Sequence, residues 1–324
     1  MSHDPVLLVG AGGMAQAYAK VLTDLSVPFH VMGRGPDSAA RFAAATGVTP
    51  GTGSLDAQLD ALRPLPRHAI ISVNAMYLAE VAIALMARGV THLLLEKPGA
   101  LDLAEMTELV AAVRAANAQV FVGYNRRFMS SALRVREIIA EDGGVTSLKF
   151  DFSEPARRIA QLPKPRREHE TWFYGNSSHV VDLAFHLFGD PLTLHAHVTG
   201  TLDWHPGGAV FAGVGAGAKG ALIGWHANWV GPGRWGLEVM TPERRLILQP
   251  LEKLRVQSHD SFAETEIVLD DAEDLAFKPG IRKQVVRFLF ETGPDVLPTL
   301  TDHARRMAYF DVIRTGGNWN AHDA

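Results

Sequence analysis

Gly10, Gly12 and Ala15 are spaced as Gly-x-Gly-x-x-Ala directly behind the apolar run Val6-Leu7-Leu8-Val9 and ahead of a helix-forming segment, 16–25. Gly10 permits a tight turn, Gly12 lets a pyrophosphate approach the backbone, and Ala15 is small enough for the helix to pack on the strand. The N-terminus of that helix adds unpaired N–H groups and the positive end of a dipole. A dinucleotide is the ligand such a turn suits. Its kind is read at the end of the second strand, 29–32, where an NAD site wants a carboxylate for the ribose hydroxyls. Gly33 has no side chain there, whereas Arg34 offers a guanidinium that can pair with a 2′-phosphate or stack on adenine. Asp37 either rivals Arg34 or caps the helix expected to begin near Ser38. NADP(H) is therefore expected in preference to NAD(H).

Three further groups could handle protons or oxyanions. Glu96-Lys97-Pro98 follows the apolar run 93–95, so it falls at the same edge of the sheet as the glycine turn. Proline biases Lys97 away from helical angles and holds its amine in one direction. Beside a nicotinamide and partly desolvated, such an amine has a lowered pKa and can relay the proton of a carbinol; the plainer reading is a surface Glu-Lys pair before a turn. Gly123-Tyr124-Asn125-Arg126-Arg127-Phe128 ends the next strand. One of its arginines is expected to clamp a substrate oxygen or the cofactor, the other to form an ion pair across the domain boundary. In the amphipathic segment 179–188, Ser177-Ser178 supply a cap and Gly189 a stop. His179 then lies in the first turn, where the helix dipole disfavours an imidazolium and leaves a proton-accepting ring. His186, on the same face, is expected to be a core residue.

These residues need a scaffold that gathers strand ends. Apolar runs at 29–32, 69–73, 93–95 and 120–123 alternate with helical segments at 37–46, 55–62, 77–88 and 103–116. That predicts an α/β fold with an N-terminal Rossmann domain, 1–122, on a doubly wound parallel sheet, which binds ligands outside the carboxyl ends of its strands. From about 145 the rhythm changes to longer alternating segments, 147–152, 192–199, 209–214, 220–229, 235–240 and 244–249, joined by turns such as Val230-Gly231-Pro232-Gly233. With helices at 178–188, 281–291 and 302–315, residues 123–324 are expected to form an α+β domain on an open, mostly antiparallel sheet.

A chain of 324 residues, 47% hydrophobic, can fill two cores. Its net charge of -4 gives no reason to expect nucleic acid or a membrane surface as partner, and no apolar run approaches the ~18 residues that span a bilayer. Without cysteine, disulfides and thiolate metal sites are excluded, and no metal site is expected. The opening residues lack the basic and apolar regions of a secretion signal, so a cytoplasmic location is expected.

In order and spacing, Gly-Ala-Gly-Gly-Met-Ala at 10–15, Glu96-Lys97-Pro98, the segment 123–128, His179-x-x-Asp182 and Lys278-Pro279-Gly280 make the whole chain resemble the Gfo/Idh/MocA family of sugar and polyol oxidoreductases. The resemblance implies that Lys97 and His179 flank C4 of a nicotinamide and act on the hydroxyl being oxidised. It also implies that Arg126 lies beside the substrate and that the open sheet makes a homodimer or homotetramer interface. Two positions depart from the family pattern. Many members carry an aspartate four residues before the histidine, where this chain has Gly175; Asn176 is the nearest polar substitute and cannot carry a proton. The usual proline after the third strand is replaced by Asn74, which could contact the nicotinamide ribose.

The resulting expectation is an NADP(H)-preferring oxidoreductase that moves a hydride between nicotinamide C4 and a secondary hydroxyl or ketone of a sugar, cyclitol or nucleotide sugar. Gly10, Gly12, Gly13, Met14, Gly33, Arg34, Ser38, Val73, Asn74, Glu96, Lys97 and Arg126 would bind the cofactor. Arg126, Glu154, Trp172, Asn176, His179 and Trp235 would bind the substrate, with aromatic faces packed on its ring. The alternatives are a reductase of another carbonyl or imine on the same scaffold and a non-catalytic NADP(H)-binding sensor or assembly partner, the latter motivated by Gly175.

Overall fold

The computed structural model describes residues 4–291 and 297–323; the first three residues used in the secretion-signal reading lie outside them. The chain divides into two compact units, Met1–Asn125 with Glu273–Ala304 and Arg126–Ala272 with Arg305–Ala324. Where the sequence reading draws one boundary near Gly123, the chain therefore also changes unit after Ala272 and after Ala304.

The first unit holds the strands β1 (Val6–Val9), β2 (Phe29–Met32), β3 (His68–Ile71), β4 (His92–Leu95) and β5 (Gln119–Val122). They form the expected parallel sheet in the order β2-β1-β3-β4-β5. Helices α1 (Gly13–Asp24), α2 (Pro36–Thr46), α3 (Leu55–Ala61), α4 (Leu78–Ala87) and α5 (Leu103–Ala115) fill the connections. Every residue of β1 is buried, which is why these strands read as unbroken apolar runs. The strand order reverses at β1, so the binding crevice opens at the carboxyl ends of β1 and β3. Two helix starts differ from expectation. Gly12 is extended and acts as the N-cap, so α1 begins at Gly13 and not at residue 16. Proline at the first position starts α2 at Pro36, placing Asp37 in its first turn and leaving Gly35 as the cap.

The second unit is built on a nine-stranded sheet. Its strands are β6 (Ser147–Asp151), β7 (Pro191–Thr199), β8 (Val210–Gly217), β9 (Leu222–Asn228), β10 (Gly236–Met240), β11 (Arg244–Leu248), β12 (Arg255–Ser258), β13 (Thr265–Glu266) and β14 (Gly317–Asn320). The order is β13-β12-β11-β10-β6-β9-β8-β7-β14, antiparallel throughout except for the β6–β9 pair. The sequence reading lacks β12, β13 and β14, short polar strands of which β13 and β14 form the two edges of the sheet. It also lacks α6 (Ser130–Glu141), which buries Ala132, Val135 and Ile138. Short helices α7 (Ala156–Ile159) and α8 (Arg166–Glu170) lead to α9 (Ser178–Phe188), which packs on β6 and β10. On the sheet, Val214 and Leu222 are each 60% exposed beside a hollow of about 560 Å³ lined also by Ile223 and Met240. The chain closes with α10 (Ala272–Ala276), α11 (Ile281–Phe290), which packs on α1, and α12 (Leu300–Thr315).

Candidate functional site

At the crevice of the first unit, the glycines divide by function. Gly10 has φ +126°, and a Cβ there would lie 2.6 Å from the Ser72 carbonyl oxygen. Only glycine fits. At Gly12 and Gly13, by contrast, a Cβ would meet nothing within 4 Å, and no side chain caps α1. Open space over the uncapped N-terminus of a long helix is the environment a pyrophosphate needs, so these residues fit a dinucleotide. Gly33 is glycine for a packing reason: a Cβ would lie 3.2 Å from that of Ala11 and 3.4 Å from the Gly51 carbonyl oxygen. A side chain at that position would need these neighbours to shift by a few tenths of an ångström. The exposed Arg34 guanidinium stacks over the Tyr77 ring, 5.0 Å from its centroid. Tyr77 escaped the sequence reading because two helices and a strand separate it from Arg34 in the chain. Ser38 Oγ donates to the Gly35 carbonyl at 2.9 Å. Val73 is half-buried, and exposed Asn74 uses its side-chain oxygen to accept from Met76 N–H at 3.0 Å, capping the turn after β3.

Glu96 is no surface residue. Only 6% exposed, it accepts a 2.6 Å hydrogen bond from the Tyr18 hydroxyl, to which Gln284 Nε2 donates at 3.3 Å. Burial pushes the Glu96 carboxyl up from its usual range, while the charges of Lys97 and Lys278 and the Tyr18 bond act against the shift. Lys97 is half-buried, next in the chain to that carboxyl. Lys278 was noted as part of a motif but given no role. Its Nζ lies 2.7 Å from Met14 Sδ on the first turn of α1, and Asn125 Nδ2 holds the segment by donating to the Pro279 carbonyl at 2.7 Å.

The second unit gathers the residues expected to bind substrate. The Arg126 guanidinium stacks over the Trp235 ring at 5.0 Å and pairs with Glu252 at 3.3 Å. The His179 ring centroid is 6.3 Å from that of Trp235. Glu154, 3% exposed, accepts from Asn176 Nδ2 at 2.9 Å and from Ser177 Oγ at 2.8 Å. Burial raises the Glu154 pKa, with Ser177, Asn176, Trp172 and Trp235 opposing the rise. Arg126, Glu154 and Trp235 line a cavity of about 380 Å³ together with Ser153, Arg158 and Arg234. Arg126 belongs to this unit, so its expected contact with the cofactor is not displayed within the cofactor-binding unit.

Two local expectations change. A π-helical turn, Phe173–Ser177, runs straight into α9, so Ser177 and Ser178 cap nothing. Ser177 Oγ serves Glu154, and Ser178 Oγ donates to the Tyr174 carbonyl at 2.6 Å. His179 therefore sits inside a continuous helical stretch, and the dipole argument for its neutrality lapses. Such widened turns recur at functional sites, and this one carries Gly175, where a Cβ would meet nothing within 4 Å. The arginine ion pair is also relocated. Arg127 grips Asp182 at 2.7 and 2.5 Å, both are buried, and both lie within the second unit and not across a boundary. Burial acts to raise the Asp182 pKa, but Arg127 outweighs it and holds the carboxyl low.

The fold and the glycine turn define a dinucleotide-binding oxidoreductase class. Residues 5–124 match the model of the oxidoreductase family with an NAD-binding Rossmann fold, Gfo/Idh/MocA. No curated protein sequence matches the chain. Among solved structures, levoglucosan dehydrogenase in complex with NADH and L-sorbose is 19% identical with a TM-score of 0.77, over 97% of this chain and 96% of that one. UDP-N-acetylglucosamine 3-dehydrogenase from Acidithiobacillus ferrooxidans is 17% identical with a TM-score of 0.73, over 97% of both chains. An oxidoreductase from Agrobacterium radiobacter in complex with NAD+, L-tartaric acid and magnesium is 14% identical with a TM-score of 0.78, over 99% of both. At these identities the likeness is one of fold. No helix among the described residues is long and apolar enough to cross a membrane.

Proposed function

We propose that the chain catalyses hydride transfer between C4 of a nicotinamide, NADP(H) in preference to NAD(H), and a secondary hydroxyl or ketone of a sugar-like molecule. The observation that carries this reading is the second unit's cavity, where an aromatic face, Trp235, stands beside Arg126 and the hydrogen-bonded Glu154. An apolar ring flanked by charged donors and acceptors suits a hydroxylated ring with one face of C–H bonds. Two proteins of similar fold bear the names of sugar dehydrogenases, which supports the same substrate class.

In this reading Gly10, Gly12, Gly13 and Met14 hold the pyrophosphate, Arg34 and Ser38 the 2′-phosphate, and Val73, Asn74 and Glu96 the remainder of the dinucleotide. The bound nicotinamide supplies or accepts the hydride. Lys97 and His179 serve the proton of the carbinol oxygen, and Arg126 donates to a substrate oxygen. Gly175 carries no proton, so in this reading the lysine and histidine serve the carbinol without the family's aspartate. We place the protein in the cytoplasm as a homodimer or homotetramer joined through the exposed sheet face around Val214 and Leu222.

The test is a screen of the purified protein for nicotinamide absorbance change against free and nucleotide-linked sugars, in both directions and with both cofactors. Turnover with a sugar alcohol or ketone supports the reading. A protein that binds NADP(H) but turns over no member of the panel favours the sensor alternative.

A further inference from the structure

We propose that the cavity of the second unit selects a substrate bearing a carboxylate or phosphate substituent, recognised by Arg158 and Arg234; the inference rests on the sugar-oxidoreductase reading of the same site. Neither residue was singled out by sequence, and both line the cavity with Arg126. Arg126 is already engaged, paired with Glu252 and stacked on Trp235. Among the described residues, Arg158 and Arg234 make no ion pair.

The acidic groups of the cavity do not answer this charge. Glu252 is paired with Arg126, and Glu154 is buried and bound by Asn176 and Ser177. Burial also raises the Glu154 pKa, which weakens its hold on a proton-free, charged state. Three guanidinium groups thus face two carboxyls, one of them desolvated, and an excess of positive charge lines the space a substrate would enter.

Arg158 and Arg234 are both exposed at the mouth of the cavity, and both leave from anchored backbone. A Cβ at Gly233 would lie 2.4 Å from that of Ser153, so the loop carrying Arg234 is pressed against the cavity wall. Ser153 Oγ accepts from Asn228 N–H at 2.8 Å, and Asn228 Oδ1 accepts from Val230 and Gly231 N–H at 2.9 and 3.0 Å, which ties down the other end of the loop. Arg158 lies on α7, with its N–H bonded to the Pro155 carbonyl at 2.9 Å and its neighbour Ile159 buried. Guanidinium forks on fixed bases match the planar oxygens of a carboxylate or the tetrahedral ones of a phosphate.

The experiment titrates the full chain with D-glucose, D-glucuronate and D-glucose 6-phosphate at fixed ionic strength, following tryptophan fluorescence or heat, so that binding is read without turnover. At least one acidic ligand should bind ten or more times tighter than glucose, and which one does so separates carboxylate from phosphate recognition. Arg158→Gln and Arg234→Gln should each bring that ratio towards one, whereas Arg234→Lys should keep part of it. Equal affinities for all three ligands, or Gln variants that weaken acidic and neutral ligands in the same proportion, would overturn the inference. Neutral sugars that bind and turn over without a charge preference defeat this inference alone; if neither neutral nor acidic rings bind, the sugar-oxidoreductase reading falls with it.

Discussion

Arg126 and Arg127 adjoin in the chain, yet one stacks on Trp235 at the cavity and the other is locked onto Asp182 in the core. Residue types alone predict one arginine for a ligand and one for an ion pair, the family resemblance points to Arg126 for the ligand, and the packing places Arg127 in the buried ion pair. The buried pair bears on a third residue, His186. Burial, reinforced by the Arg127 charge, lowers its pKa from 6.5 to about 3. A histidine whose folded pKa is depressed contributes stability that is fully present above its unfolded pKa and lost as pH falls towards the folded one. His186→Phe keeps a ring but removes the titration. Between pH 7 and 4, its unfolding free energy should fall less steeply than the parent's, by up to about 1.4 kcal/mol per pH unit; parallel curves from denaturant titrations would show that His186 does not titrate on unfolding. For the chemistry, Lys97→Ala and His179→Ala should each reduce turnover by roughly 10²–10⁴ while cofactor affinity stays near the parent's. The double variant should lose far less than the product of the two. Single-turnover traces with a verified substrate check this, and near-full turnover in Lys97→Ala would end the proposed role.

At the scale of elements, the β1–α1 turn separates folding from binding within three positions of the chain. Gly10→Ala forces a side chain into a left-handed conformation and against Ser72, so it should cost at least about 1–3 kcal/mol of stability. Gly12→Val meets open space, so the protein should fold normally but fail to bind the dinucleotide. Thermal melts and calorimetric cofactor titrations of both variants distinguish these outcomes; unchanged affinity in folded Gly12→Val would put the dinucleotide elsewhere. At the tip of β2, Arg34→Ala should weaken NADP(H) by ~1.5–3 kcal/mol, the worth of a charge-assisted bond, and leave NAD(H) nearly unaffected. Equal dissociation constants for the two cofactors in the parent would count against that preference. The helices of the first unit were legible because their apolar spacing repeats between buried strands. The π-helical turn was not, and its Ser177 bonds Glu154 in a segment 23 positions away.

At the scale of the whole molecule, the face of the nine-stranded sheet that carries Val214 and Leu222 leaves apolar side chains in water. Association through that face would bury them. The parent should sediment as a dimer or tetramer, and Leu222→Glu should shift it towards the monomer; a monomeric parent at micromolar concentration would overturn the proposed assembly. By itself the sequence determined the parallel sheet, the glycine turn at its edge and the absence of thiol chemistry. These are local properties: strand burial, turn conformation and side-chain chemistry are written in neighbouring residues. Tertiary structure alone decided that 273–304 returns to the first unit and brings Lys278 to Met14, that Tyr77 underlies Arg34, and that Arg158 and Arg234 share a cavity with Arg126. Each of those juxtapositions joins residues far apart in the chain. Their proximity follows from how each sheet packs with its own helices and loops, and no periodicity or spacing along the sequence encodes it.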